Sequence, residues 1–306
     1  MIESFQQILP HGTTLSCRAA GERGRPVLLF LHGFPEAAFV WDGLLAHFAQ
    51  AGNGGYRCVA PNLRGYEQSS APADVAAYRA KPLVQDLTAL IDVITQDSPT
   101  PGQLACLVAH DWGGALAWSV AAQCPAAMRR LAIVNAPHPA TFQRELANSP
   151  TQQASSAYMN FLARPDAPAM LAENDFARLW PFFTNMAADS GPLAWLDDAT
   201  RDRYRAVWRQ GLHGPCAYYA ASPLRPPTAN DAGAAAVKLP RERVSVNVPT
   251  LVVWGLGDTA LPEALLDGLD DFVPDLRIER VPGATHWIVH EQPQRVAALI
   301  GDFLTS

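Results

Sequence analysis

Residues 104–117 read Leu-Ala-Cys-Leu-Val-Ala-His-Asp-Trp-Gly-Gly-Ala-Leu-Ala. An apolar strand over Leu104–Ala109 runs without a spacer into a helix over Trp112–Gln123, which leaves Asp111 at the junction. Ala109 and Gly113 flank it two residues away on either side. Small residues at those positions are what a sharp strand-to-helix turn needs, because larger side chains would collide there. Asp111 then lies beside the positive end of the helix, which favours its carboxylate form. The same residue would also serve as an ordinary N-cap, for which aspartate is well suited. Other parts of the chain have to decide between these roles.

Outward from this junction, short apolar runs alternate with amphipathic stretches. Val27–Leu31 is a continuous apolar strand, as expected where both faces of a parallel sheet are covered. Residues 37–50 show helical spacing through Phe39, Leu44, Leu45 and Phe48, and Tyr56–Ala60 is the next strand. Pro82–Ile94 sets Leu83, Leu87, Leu90, Ile91 and Ile94 on one helical face, and Leu131–Val134 is another strand. This alternation predicts an α/β fold with a mostly parallel, doubly wound sheet. From Ala136 to Leu224 the strand signal stops, and aromatic residues such as Trp180, Phe183, Trp195 and Trp208 punctuate helical stretches. Strands resume at Leu251–Trp254 and Leu276–Val281, and a helix over Gln292–Leu304 closes the chain. The expected organisation is a core of residues 1–136 and 225–306 with a helical cap over 137–224.

Composition removes several function classes. The 306 residues are 49% hydrophobic and 17% charged, which excludes a disordered chain. Lys and Arg total 23 against 29 Asp and Glu, a net charge of -6, and no basic cluster offers a nucleic-acid footprint. No apolar run approaches the ~18 residues a membrane span needs. The N-terminal segment carries Glu3 and lacks a basic region followed by a long apolar one, so it does not read as a signal peptide. The five cysteines, an odd number without CxxC spacing, read as buried thiols. A cytoplasmic protein is the expectation. A homodimer is compatible with the sequence but is not read from it.

Two further strand ends carry polar residues. Trp254 is followed by Gly-Leu-Gly-Asp258, and the last strand by Gly-Ala-Thr-His286-Trp287. Sites of α/β proteins lie at the carboxyl ends of strands, and the order Asp111, Asp258, His286 matches the nucleophile, acid, histidine order of the α/β-hydrolase fold. After the first long strand comes His32-Gly33-Phe34-Pro35-Glu36. In that fold this loop supplies one oxyanion donor and the residue after the nucleophile the other, here the N–H groups of Phe34 and Trp112.

An aspartate nucleophile narrows the chemistry. A serine attacking saturated carbon would leave an ether, which histidine-activated water cannot cleave. A carboxylate leaves an ester, which water can hydrolyse at the aspartate carbonyl. The substrate is therefore an alkylating one, an epoxide or a carbon–halogen bond.

HGFPE, HDWGG, GLGD and THWIVHEQP together resemble the epoxide hydrolases of the α/β-hydrolase superfamily, across nearly the whole chain. The resemblance implies two cap tyrosines acting as acids on the epoxide oxygen. One matches Tyr158 in Ser156-Ala157-Tyr158-Met159, and the other falls in Ala217-Tyr218-Tyr219-Ala220. That register makes Tyr219 the acid and Tyr218 its aromatic neighbour, and a shift of one residue exchanges them. His32, Pro35, Trp180, Tyr218 and Trp287 are the expected substrate-binding residues. The substrate is then an apolar or aryl epoxide, with no cofactor and no metal. Departures include alanines on both sides of the tyrosine pair, and Asn62 and Glu67 where relatives commonly carry Asp and Gly. No mechanism attaches to that loop, which reads as remote from the chemistry. A haloalkane or haloacid dehalogenase using the same aspartate is the alternative. However, Phe34 stands where a second halide donor is expected, and no arginine follows Asp111 before Arg129. A non-catalytic receptor on the same scaffold is the third reading.

Overall fold

Burial on both faces of the sheet explains why the central strands read as unbroken apolar runs. The computed structural model describes residues 1–185 and 193–306. The first half of the core comprises β1 (Glu3–Ile8), β2 (Thr14–Ala20), β3 (Val27–Leu31), α1 (Asp42–Phe48), β4 (Arg57–Pro61), α2 (Ala80–Ile94), β5 (Cys106–His110), α3 (Trp112–Gln123) and β6 (Leu131–Val134). Along β3, Val27, Leu29 and Leu31 join one apolar cluster while Leu28 and Phe30 join a second. The two clusters lie on opposite faces of the sheet. Leu83, Leu87, Leu90 and Ile91 of α2 cover one face, and Leu44, Leu45 and Phe48 of α1 cover the other. Each such side chain contributes about 1.5–3 kcal/mol when fully buried.

After β6 the chain leaves the sheet through α4 (Pro139–Asn148), α5 (Pro150–Ser155), α6 (Tyr158–Leu162), α7 (Ala167–Phe176), α8 (Trp180–Asn185), α9 (Asp198–Trp208) and α10 (His213–Ala221). It returns through α11 (Arg241–Val244), β7 (Thr250–Gly255), β8 (Leu276–Val281), α12 (Ile288–Glu291) and α13 (Pro293–Thr305). Within the expected cap, residues 186–192 lie outside the described ones. The inserted helices have an apolar cluster of their own, with Leu171, Phe183, Tyr204 and Trp208 at its centre. Phe34 and Trp287 of the core pack into it, so cap and core share a buried seam.

Among the described residues the sheet has eight strands in the order β1-β2-β4-β3-β5-β6-β7-β8. β1–β2 and β2–β4 pair antiparallel and the remaining pairs are parallel. The pairings Leu31 with Ala109 and His110 with Val134 align the carboxyl ends of β3, β5 and β6 along one edge. The antiparallel β1–β2 hairpin was not anticipated. β1 (ESFQQI) is an edge strand, exposed along most of its length, and carries little apolar pattern. Residues 37–50 form two pieces, a 3-10 turn over Ala38–Trp41 and then α1. No helix among the described residues is long and apolar enough to cross a membrane.

Candidate active site

The turn between β5 and α3 holds Asp111 at φ 49°, ψ -123°, a backbone region that non-glycine residues rarely occupy. The side chain makes no capping bond to its own helix, so the N-cap role does not apply. Instead Asp111 Oδ1 accepts from the Phe34 backbone N–H at 2.7 Å. Close approach explains the glycines. A β-carbon on Gly33 would strike the Asp111 carboxylate, and one on Gly113 would overlap the Leu31 and His32 carbonyls. The Trp112 N–H opens α3 and belongs to the first turn, whose N–H groups have no acceptor inside the helix.

His286 faces Asp111 from the loop after β8. Its Nε2 lies 3.8 Å from Asp111 Oδ2, and its Nδ1 meets Asp258 Oδ2 at 2.7 Å. Asp258 is fixed on every side: Ala260 N–H and Leu261 N–H donate to Oδ1, and Asn135 Nδ2 donates to Oδ2 at 2.8 Å. Asn135 was not anticipated. The available signal was a polar residue directly after the buried run Leu131–Val134, at the same sheet edge. Burial alone would push the His286 imidazolium pKa down, but the charge and hydrogen bond of Asp258, with the charges of Asp111 and Glu36, outweigh it and raise the value to about 9.

Over Asp111 a cavity of about 480 Å³ opens, lined near the carboxylate by Trp112, Tyr158, Tyr218 and Tyr219. The two neighbouring tyrosines differ in what their hydroxyls do. Tyr218 donates to the Arg64 carbonyl at 2.9 Å. Tyr158 and Tyr219 donate to no protein acceptor among the described residues, and their rings lie 6.1 Å apart, edge to face. Burial first, then the Asp111 charge, hold the Tyr158 hydroxyl well above the usual phenol range. Burial, followed by Tyr158 and Asp111, does the same to Tyr219, against an opposing contribution from Trp112.

Four of the expected substrate-binding residues are engaged elsewhere. His32 is fully buried, with Nδ1 on the Gly33 carbonyl at 3.0 Å and Nε2 accepting from Leu63 N–H at 3.1 Å. Burial is the main reason its pKa falls to about 4, so it stays neutral. The Pro35 carbonyl accepts from the Trp208 indole at 2.7 Å. Trp180 is half-buried on the outside of the cap, under the guanidinium groups of Arg201 and Arg205. Trp287 is wholly buried in the seam and donates to the Phe182 carbonyl at 3.2 Å. Tyr218 alone of this group borders the cavity.

The loop 61–70 is not remote from the site. It carries the carbonyl that holds Tyr218 and the Leu63 N–H that holds His32. Its two departures compensate one another. Asn62 donates through Nδ2 to the Glu67 carboxylate and to Ser16 Oγ, and accepts from Ala38 N–H through Oδ1. An aspartate at 62 would repel Glu67, so the asparagine makes the glutamate tolerable.

Glu36, the last residue of HGFPE, is a second unanticipated element. It is fully buried, and its Oε1 accepts from Tyr204 of the cap at 2.7 Å and from His290 at 2.6 Å. Oε2 lies 3.4 Å from His110 Nδ1, and His110 Nε2 donates to the His286 carbonyl at 2.9 Å. Burial opposes the Glu36 charge, but His290 and His110 outweigh it and hold the carboxyl well below its usual range.

A family model described as the alpha/beta hydrolase fold matches residues 26–293. The AB hydrolase superfamily protein YfhM of Bacillus subtilis is 32% identical over 98% of this chain and 97% of its own length. Epoxide hydrolase 4 of Mus musculus is also 32% identical, over 98% of this chain and 79% of its own. The chain belongs to the epoxide hydrolase family of the α/β-hydrolase superfamily. Among solved structures, the epoxide hydrolase of Bacillus megaterium in complex with an inhibitor superimposes on this family member with a TM-score of 0.86 at 26% identity, covering 99% of this chain and all of the other. A metagenomic epoxide hydrolase from a hot environment gives a TM-score of 0.85 at 35% identity, covering 99% of both chains.

Proposed function

We propose that this protein hydrolyses apolar epoxides to vicinal diols through an ester on Asp111. One observation carries the reading: two tyrosine hydroxyls that donate to no protein acceptor among the described residues border the same cavity as a carboxylate whose own oxyanion donor is already in place. With Oδ1 held by Phe34 N–H, Oδ2 is the attacking atom. As its bond to carbon forms, the ring C–O bond breaks and the electron pair passes to the ring oxygen. That oxygen takes a proton from Tyr158 or Tyr219. Alkylation neutralises Asp111 and removes one of the charges that raise both phenol pKa values, so their acidity increases as the alkoxide develops.

His286 then takes a proton from water, and the hydroxide attacks Asp111 Cγ. The tetrahedral oxyanion lies between the N–H groups of Phe34 and Trp112. Collapse releases the diol and restores the carboxylate. Of the two protons that water brings, one ends on the released hydroxyl and one returns to the tyrosinate. Asp258 orients the imidazole and stabilises its charged form.

Replacing His286 by asparagine removes the base and should strand the ester. Brief exposure of that variant to styrene oxide is expected to raise its intact mass by one whole epoxide, and a further Asp111→Asn change should abolish the gain. Fluoroacetate and chloroacetate run in parallel test the halide reading, in which the added mass is the acid minus its halogen. No adduct with any of them would favour the non-catalytic receptor reading.

The raised His286 pKa sets a pH dependence. In the free enzyme the group titrates near 9, so it is mostly protonated at neutral pH and cannot act as base. Ester formation removes the Asp111 charge and lowers that value. Single-turnover ester hydrolysis should therefore rise with pH to a plateau whose midpoint lies below 9. Stopped-flow tryptophan fluorescence would follow it, and a rate that falls across pH 6–8 contradicts the assignment.

A further inference from the structure

The cavity continues well past the tyrosines. Trp112, Ala115, Leu116, Ser119 and Gln123 line it from one face of α3, at helical spacing. Gln123 stands twelve positions after Asp111, which at about 1.5 Å per residue is a reach of about 18 Å. Between these ends the walls are apolar, with Phe142, Leu224, Leu239 and Leu261 among them. Such a channel is far longer than a small aryl epoxide requires.

Its outer end is polar and positively charged. Gln123 and Arg243 are both exposed and both border the cavity. Arg243 sits on α11, which packs against α3. Its guanidinium has no hydrogen bond, ion pair or aromatic partner among the described residues, and the Gln123 amide likewise has none. Arg241, two residues earlier, is by contrast engaged with the Asp271 carbonyl and the Phe272 ring. Among the described residues that line the cavity, Asp111 is the only acidic one, so no lining carboxylate lies at the mouth with Arg243. A planar guanidinium with all its donors free suits a carboxylate.

We infer that the mouth between Arg243 and Gln123 is an anion-accepting subsite, so that preferred substrates carry the epoxide at one end of an extended apolar chain and an anionic group at the other. This rests on the epoxide reading given above. The Arg243 charge acts on binding of the distal end and touches none of the reacting atoms. Because the site is open to water, its effect is modest and sensitive to salt.

The test compares an ω-epoxyundecanoic acid with its methyl ester on the same preparation of enzyme. The ratio of their kcat/KM values is insensitive to any loss of folded protein. In Arg243→Met, which keeps the apolar stem, the acid-to-ester ratio should fall about fivefold, and Arg243→Lys should restore most of it. Added salt should lower the ratio in the original protein and leave the methionine variant unmoved. An equal ratio in the original and methionine proteins would overturn the inference. If no epoxide is turned over at all, the epoxide reading fails, and calorimetric binding of undecanoate reads the mouth independently. Weaker binding by Arg243→Met then supports the subsite, and equal binding removes it.

Discussion

Asp111→Asn is expected to lower single-turnover epoxide opening by about 10⁴-fold or more, the scale seen when a covalent nucleophile is lost. Asparagine is the informative replacement because it keeps the shape of the side chain and tolerates the positive φ of 49° at this turn. Its Oδ1 can still accept from the Phe34 N–H that now holds the carboxylate at 2.7 Å. The change thus removes nucleophilicity with little disturbance of geometry. Had Asp111 been a helix cap, asparagine would serve equally well and activity would persist. Rapid quench with styrene oxide, together with a thermal melt, separates the two: a near-normal melting temperature with lost chemistry supports the nucleophile, and retained turnover removes it.

The second large effect is expected at the tyrosines. Tyr158→Phe and Tyr219→Phe should each slow alkylation about 10²-fold, and the double variant by about 10⁴-fold, the range for loss of general acids in a water-poor site. Tyr218→Phe should register chiefly in stability, by about 1 kcal/mol, because the buried Arg64 carbonyl loses its donor. Pre-steady-state rates measured beside urea midpoints distinguish the pair. A larger kinetic loss at Tyr218 than at Tyr219 would exchange their roles.

The elements that could be read early share one property: their signals are local. Val27–Leu31 and Leu131–Val134 announce themselves as strands because both faces of the sheet are covered, and no polar residue interrupts them. Trp112–Gln123 follows β5 directly, and the glycines at 33, 113 and 114 mark the close approaches at the turn. β1 escaped notice because an edge strand exposed along most of its length has little apolar pattern to show. The 3-10 turn at Ala38–Trp41 was absorbed into a longer helix because its apolar spacing over a few residues is nearly helical.

Within the site, the order Asp111, Asp258, His286 was legible because each residue lies in the short loop after the carboxyl end of its own strand. Asn135 occupies an equivalent place after β6, yet an asparagine after a strand is common, and only its bond to Asp258 distinguishes it. Glu36 stands in a recognised motif, but its partners Tyr204 and His290 lie 168 and 254 residues further along the chain. Of the residues expected to touch substrate, Pro35 and Trp287 instead bond across the seam between core and cap, since ring-rich segments fill seams as readily as they line pockets.

By itself the sequence determined the parallel sheet, the inserted helical segment, the strand-end placement of three polar residues and the restriction to alkylating substrates. These follow from periodicity, chain order and the chemistry of a carboxylate nucleophile. Tertiary structure alone decided which hydroxyl of the Tyr218–Tyr219 pair donates to a backbone carbonyl, that Asn62 and Glu67 offset one another, and that Asp111 and Arg243 border one cavity. The physical reason is that a side chain's capacity to react is set by what occupies its donors and acceptors, and here those partners come from distant segments, such as Arg64 for Tyr218, 154 residues away.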